Sequence, residues 1–251
     1  MITQQKSYII CTTARSGSNL FCNYLQNTGV LGRPSELLNP DVIRKGNFGR
    51  NHDFSKPISV EAYLKHLLKM TEKKGVFGIK ILYEDLEAFR HFSAFSTLLK
   101  NSFLIHLRRR SKLRQALSYL FAEETGQWVA TDPPRKRQDE VGYDFNRIDA
   151  HLRRLIEQDT LWTSILEAIK PAEYREIYLE DFLADPATCI HQVFADIGGA
   201  ALSNAEIFAT LEEQRNPYAT EFAKRFRQDL QAKILDSRDT AVVYKQTRFI
   251  A

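Results

Sequence analysis

Short strand-like runs set at intervals along the chain, YIICT (8–12), VFGIKIL (76–82), SFLIHL (102–107) and YREIYLE (174–180), constrain the fold more than any other feature. Between them the apolar residues change to helical spacing. Over Ser18–Asn27, Leu20, Phe21, Tyr24 and Leu25 share one face and Gly29 supplies a stop. Residues 59–73 repeat the pattern, with Ser59 as N-cap, Val60, Tyr63, Leu64, Leu67 and Leu68 as the stripe, and Gly75 as the end. A third helix is predicted over Ser111–Glu124, with Leu113, Ala116, Leu117, Leu120 and Phe121 inward, and a fourth near 186–196, closing at Gly198-Gly199. Strands alternating with helices predict an α/β fold of three layers, a mostly parallel central sheet flanked by helices. At 251 residues one domain spanning 1–251 is expected. Residues 39–58 and 127–146, rich in Asn, Asp, Gly, Pro and Arg, fit neither period and are expected to be long surface loops.

Composition excludes more than it selects. Hydrophobic residues at 43% and charged residues at 26% are ordinary for a globular chain, so disordered and fibrous classes are set aside. No apolar stretch approaches the ~20 residues of a membrane helix. Cys11, Cys22 and Cys189 are widely spaced with no CxxC pair, which argues against a disulfide scaffold or zinc ribbon and for a reducing, cytoplasmic setting. The histidines form no HxxxH pair, so no metal site is expected. A net charge of +4 suits a small polyanion as well as a weak nucleic-acid contact, and with no RNA- or DNA-binding motif no nucleic-acid partner is expected.

The first strand runs into Thr12-Thr13-Ala14-Arg15-Ser16-Gly17-Ser18-Asn19 and then into a helix. Small residues around one cation at a helix start are how a chain builds an anion cradle, from free backbone N–H groups, the positive helix end and hydroxyl donors. Gly17 allows close approach to the backbone. No GxxxxGK[ST] sequence is present, so this is not a Walker A loop. The same residues would equally serve as an ordinary helix start, with Ser16 or Ser18 as cap and Arg15 solvated. Residues alone leave both readings open.

The string ARSGSNLFCNYLQNTGVLGRPSE resembles the opening of the bacterial trehalose 2-sulfotransferases and their lipopolysaccharide-sulfotransferase relatives. The resemblance implies a P-loop-like sulfotransferase fold. It also implies transfer of a sulfuryl group from 3′-phosphoadenosine 5′-phosphosulfate (PAPS) to a hydroxyl of a small-molecule or glycolipid acceptor. Arg15, Ser16, Gly17, Ser18 and Asn19 would hold the 5′-phosphosulfate, with Asn19 standing where relatives often have Thr. Glu36, after Gly32-Arg33-Pro34-Ser35, matches the proposed general base, although by spacing alone it would be a loop carboxylate paired with Arg33 or Arg44. Other sulfotransferases use a His as base, which makes His52 and His106 the backups.

LIHLRRRSKLRQALSYL resembles the block that binds the 3′-phosphate, with Arg109 and Ser118 the best matches. Relatives usually have Pro where Arg110 stands, so Arg108 and Arg110 remain candidates for the same contact. Lys80 lies inside a strand run, where a lysine must snorkel or meet an anion; the resemblance places it near the sulfate or the acceptor. Arg135-Lys136-Arg137 offers either an acceptor-facing lid or a solvated basic run, and Lys224 or Arg225 would help cover the nucleotide. Relatives also form homodimers. The competing functional classes are a nucleotide kinase on a similar sheet and a non-catalytic nucleotide-binding module.

Overall fold

In the computed structural model of the chain, which describes residues 6–44, 59–71, 75–129, 131–169, 174–199, 202–203, 207–211 and 216–236, the strand β1 (Lys6–Thr12) is flanked on both sides. It pairs in parallel with β2 (Val76–Leu82) and with β3 (Phe103–Arg108), and β3 pairs in parallel with β4 (Tyr174–Tyr178). The sheet order is β2-β1-β3-β4. The chain therefore builds outward from β1 to β2 and returns to the opposite side of β1 for β3. In open parallel sheets this reversal opens a crevice at the carboxyl ends of the strands. The register brings Thr12 level with Leu82 and with Leu107, and Arg108 level with Tyr178. All four following turns thus leave the sheet along one edge.

Alternate residues of the strands enter two separate cores, as a sheet buried on both faces requires. Ile9, Cys11, Ile79, Ile81 and Leu104 pack with Tyr63, Leu67, Phe95 and Trp162. These come from α3 (Val60–Thr71), α5 (Ser93–Asn101) and α7 (Phe145–Ile169). On the other face Tyr8, Ile10, Ile105 and Leu107 meet Phe21, Leu25, Phe182 and Ile190, from α1 (Ser18–Asn27), α8 (Leu179–Ala184) and α9 (Pro186–Asp196). The expected three-layer α/β architecture is what forms. Gly78 is required on β2: it lies opposite Tyr8, and a Cβ there would sit 2.3 Å from the tyrosine Cζ. The room it leaves lets the buried Tyr8 hydroxyl donate to Leu31 O at 2.6 Å.

Remaining elements are α2 (Pro40–Arg44), α4 (Tyr83–Phe89), α6 (Lys112–Thr125) and α10 (Tyr218–Asp236). Helix α10 lies against α6 and α7 through Phe226, Ala223, Leu117, Leu120 and Phe121. No helix among the described residues is long and apolar enough to cross a membrane.

The sequence reading needs several corrections. The strand expected over 174–180 stops at Tyr178, because Leu179 begins α8, with Glu180 and Asp181 in its first turn where the positive helix end favours acidic side chains. Helix α3 ends at Thr71, with 72–74 outside the described residues. Part of the expected loop 39–58 is the short helix α2, and 45–58 lie outside the described residues. The described residues of 127–146 are irregular as expected, apart from a 3-10 turn at Gln138–Glu140 and the start of α7 at Phe145. Helices α4, α5 and α7 were not anticipated.

Candidate active site

The β1–α1 turn is bent by two residues in the left-handed region, Arg15 at φ 61° and Gly17 at φ 86°. A non-glycine residue held there carries strain that the surroundings must hold in place. Gly17 is doubly constrained, since a Cβ would also come 2.4 Å from Leu179 Cδ1. Gly17 is the N-cap of α1, and no side chain caps that helix. The Ser16 hydroxyl instead pairs with Thr12 Oγ1 at 2.7 Å, and Thr12 bonds Leu107 O at 2.6 Å, tying the turn to β3. Ser16 is thus no helix cap, and the backbone N–H groups at the start of α1 keep the arrangement that suits an anion.

Three contacts hold this turn from the side of α6 and β3. Gln115 Nε2 donates to Thr13 Oγ1 at 2.8 Å and Ala14 O at 2.7 Å. Arg15 Nε donates to the Ser118 hydroxyl at 3.0 Å, one helical turn beyond Gln115, and the Arg15 guanidinium also donates to Trp128 O. Arg109 reaches over from the end of β3 and donates to Arg15 O at 3.3 Å. Burial, then the nearby Arg109, lower the Arg15 guanidinium to about 10, with Glu36 opposing the shift. The neighbouring arginines turn elsewhere. Arg108 binds Asp159 Oδ2 through Nε at 3.1 Å and also Glu176 at 2.6 Å. Arg110 makes a bidentate pair with Asp181 at 2.7 and 2.6 Å and lies 4.5 Å over the Tyr178 ring.

Glu36 is fixed by its neighbours in sequence. Leu37 and Leu38 are buried in the core, Tyr63 donates to Leu37 O at 2.5 Å, and Lys80 N donates to Ser35 O at 3.1 Å. Its ion-pair partner is Lys80 at 2.7 Å, where spacing had pointed to Arg33 or Arg44. Lys80 is a β2 residue only 2% exposed, so its ammonium must be met inside the fold, and Asn19 Oδ1 accepts from it as well. Asn39 donates to the other Glu36 oxygen at 3.2 Å. Burial alone would raise the Glu36 pKa; Lys80, Asn39 and Arg15 outweigh it, and the carboxyl titrates below its ordinary value. Through Asn19 the pair is joined directly to the anion turn.

Several expectations resolve differently. His106 is a fully buried β3 residue 3.7 Å from Asp159, and burial lowers its pKa to about 4, so it belongs to the packing behind β3 and is not beside Glu36. His52 lies outside the described residues. In the basic run, Lys136 pairs with Glu124 at 2.8 Å and Arg137 with Asp139, which is the solvated reading. Arg225 stacks 4.1 Å over the Tyr143 ring, and its neighbour Lys224 shares a helix packed on α6 and α7 rather than on the anion turn. Gln115, Trp128 and Asp159 were missed. For Gln115 a signal existed: it lies three residues before Ser118, on the same face of one helix.

A parallel sheet with a cationic turn at its switch point, and a carboxylate–lysine pair adjoining that turn, defines an α/β protein suited to a small anionic ligand beside a proton acceptor. The chain belongs to the Stf0 sulphotransferase family, whose sequence profile matches residues 7–229. It is a transferase of sulfuryl groups, which sets aside the kinase and binding-module readings. It is 27% identical to nodulation protein H of Rhizobium tropici over 195 residues, 77% of this chain and 76% of that protein. Among solved structures it is similar to a sulfotransferase from Alicyclobacillus acidocaldarius, at TM-score 0.48 and 12% identity over 93% of both chains. The sulfotransferase domain of the Synechococcus PCC 7002 olefin synthase is similar at TM-score 0.49 and 15% identity, over 88% of this chain and 86% of that one.

Proposed function

We propose that the chain transfers the sulfuryl group of PAPS to a hydroxyl of a carbohydrate or glycolipid acceptor and releases 3′-phosphoadenosine 5′-phosphate (PAP). The observation that carries this is the Arg15 hub. One guanidinium spans from the β1–α1 turn to Ser118, while Arg109 reaches back to the same residue. A donor phosphorylated at both ends of its ribose needs two adjoining anion sites of this kind.

In this reading Arg15, Ser16, Gly17, Ser18 and Asn19 hold the 5′-phosphosulfate through backbone N–H groups and the Arg15 charge. Arg109 and Ser118 hold the 3′-phosphate. Glu36 takes the proton of the acceptor hydroxyl as its oxygen bonds to sulfur; the sulfur–oxygen bond to the 5′-phosphate breaks in line, and that phosphate leaves with the electron pair. Lys80 has two tasks. While paired to Glu36 it keeps the carboxylate ionised but weakly basic. An anionic donor competes for the ammonium, which restores basicity to Glu36 and places a cation against the developing negative charge. The reading extends to a cytoplasmic setting and a homodimer, supported by cysteine usage and family resemblance.

A thermal-shift series tests the donor. PAP at ~100 times its dissociation constant stabilises by about 2.7 kcal/mol and does so without magnesium, whereas ATP, which lacks a 3′-phosphate, stabilises much less. Equal stabilisation by ATP, or a strict magnesium requirement, contradicts the assignment.

A further inference from the structure

Arg15 is a non-glycine residue held at φ 61°, and such a conformation persists only where the surroundings fix it. The planar peptide group on the amino side of Arg15 contains Ala14 O, so whatever holds that oxygen sets the plane from which φ is turned. Gln115 holds it. One amide nitrogen, Nε2, donates to Ala14 O at 2.7 Å and to Thr13 Oγ1 at 2.8 Å, so that both of its hydrogens are engaged by the two residues before Arg15. The opposite end of the amide is fixed as well. Lys112 Nζ, which can only donate, reaches Gln115 Oε1 at 3.5 Å and is itself paired with Asp159 at 3.0 Å.

Gln115 differs from the other groups that hold this residue. The Arg15 side chain donates to Ser118, and Arg15 O accepts from Arg109. In the reading above both Ser118 and Arg109 bind the 3′-phosphate of the donor, and a bound phosphate draws them away from Arg15. Gln115 is fully buried and Thr13 is 1% exposed, so a ligand competes for neither. The amide therefore keeps its hold on the turn whether the donor is present or not, in a dry setting where each hydrogen bond is strong. Gln115 and Ser118 lie three residues apart on one face of α6. The helix that carries a contact for one end of the donor thus also carries the group that shapes the turn at the other end.

We propose that Gln115 is a positioning residue for the donor: it presets the β1–α1 turn, with Arg15 in its left-handed conformation, so that the 5′ end of the donor binds without first reshaping the turn. This rests on the sulfuryl-transfer reading and adds to it a residue that touches no substrate. A residue that merely packed α6 against the sheet would, when changed, lower stability and leave the affinity of the folded protein intact. A positioning residue alters affinity, and does so at one end of the ligand.

Calorimetric titration of the full chain with PAP, adenosine 5′-phosphate and adenosine 3′-phosphate separates the two ends. Gln115→Met keeps the length of the side chain and removes both donated hydrogen bonds. It raises the dissociation constants of PAP and adenosine 5′-phosphate about tenfold each, the effect of one charge-assisted hydrogen bond brought out of line. That of adenosine 3′-phosphate stays within about twofold of wild type. Thr13→Val removes one of the two bonds at nearly constant volume and raises the PAP constant about threefold, again without weakening adenosine 3′-phosphate; it carries the test should Gln115→Met fail to fold. Wild-type affinity for PAP in folded Gln115→Met overturns the inference, as does equal weakening of all three ligands. Where only Thr13→Val folds, wild-type affinity for PAP in that variant overturns it. Failure of the wild-type protein to bind PAP would instead remove the donor reading, and the inference with it.

Discussion

Replacing Lys80 by Met removes one charge from the interior while keeping the length and most of the volume of the side chain. The Lys80 side chain is 3% exposed and that of Glu36 27%. Breaking a fully buried pair by deleting one partner costs about 3–5 kcal/mol. Water can reach part of the Glu36 carboxylate and Asn39 still donates to it, so the lower end, about 3 kcal/mol, is expected for Lys80→Met. Glu36→Gln keeps an acceptor for the ammonium and should cost less, about 2 kcal/mol. In the double variant neither charge is left unmatched, so a double-mutant cycle from urea unfolding should give a coupling of roughly 2 kcal/mol.

The pH dependence sharpens this test. In the wild type the Glu36 pKa lies below its ordinary value, so the pair contributes above the unfolded-state value near 4.5 and is lost as pH falls below it. Without Lys80 the effect of burial, the largest single influence on this carboxyl, is opposed only by Asn39 and Arg15. Its pKa then rises, and the contribution of Glu36 to stability should decline as pH increases, the reverse of the wild-type trend. A Lys80→Met protein within about 0.5 kcal/mol of wild type from pH 5 to 8, with additive single changes, would refute the pairing and the account of how Glu36 is held.

Two further outcomes follow from the arginine turn and the buried histidine. Arg109→Ala should weaken PAP binding by about 1.5–3 kcal/mol in calorimetric titration, while Arg110→Ala, whose side chain is held by Asp181 and Tyr178, should leave it nearly unchanged; the opposite order would move the 3′-phosphate contact by one residue. His106 is held neutral by burial, its pKa lowered from 6.5 to about 4, so its full contribution is present above pH 6.5 and is lost as pH falls from 6.5 towards 4, roughly 3 kcal/mol in all. Urea midpoints of His106→Leu should lack this part of the acid dependence, and an unchanged slope would show that other groups set it.

The sheet was legible because strands buried on both faces read as short apolar runs, and VFGIKIL forms β2 from Val76 to Leu82 as the pattern predicts. The β1–α1 turn was legible because its residues are contiguous. Helix α7 was not, although Ile148, Leu152, Leu155, Trp162 and Leu166 recur at helical spacing: the polar Gln158 and Asp159 interrupt the inward stripe, and a Pro- and Arg-rich loop precedes it. The short helices α4 and α5 offer too few turns for a clear period. Glu36 and Lys80 were each recognisable, but their pairing was not, because it depends on the segment after α1 lying against β2, where Lys80 N donates to Ser35 O. Gln115, Trp128 and Asp159 depend likewise on how α6, α7 and the ends of β1 and β3 meet, which no local pattern encodes.

The central claim, that Glu36 accepts the acceptor's proton beside a bound PAPS, is tested most directly by transfer of labelled sulfate from PAPS to a panel of sugars and glycolipids, wild type beside Glu36→Gln. Wild-type protein should label at least one acceptor, and turnover in Glu36→Gln should fall by about 10²–10⁴ while PAP binds at least as tightly as to wild type. Near wild-type turnover in Glu36→Gln would contradict the account, since a carboxylate serving only as Lys80's partner would alter stability and leave the rate of transfer intact.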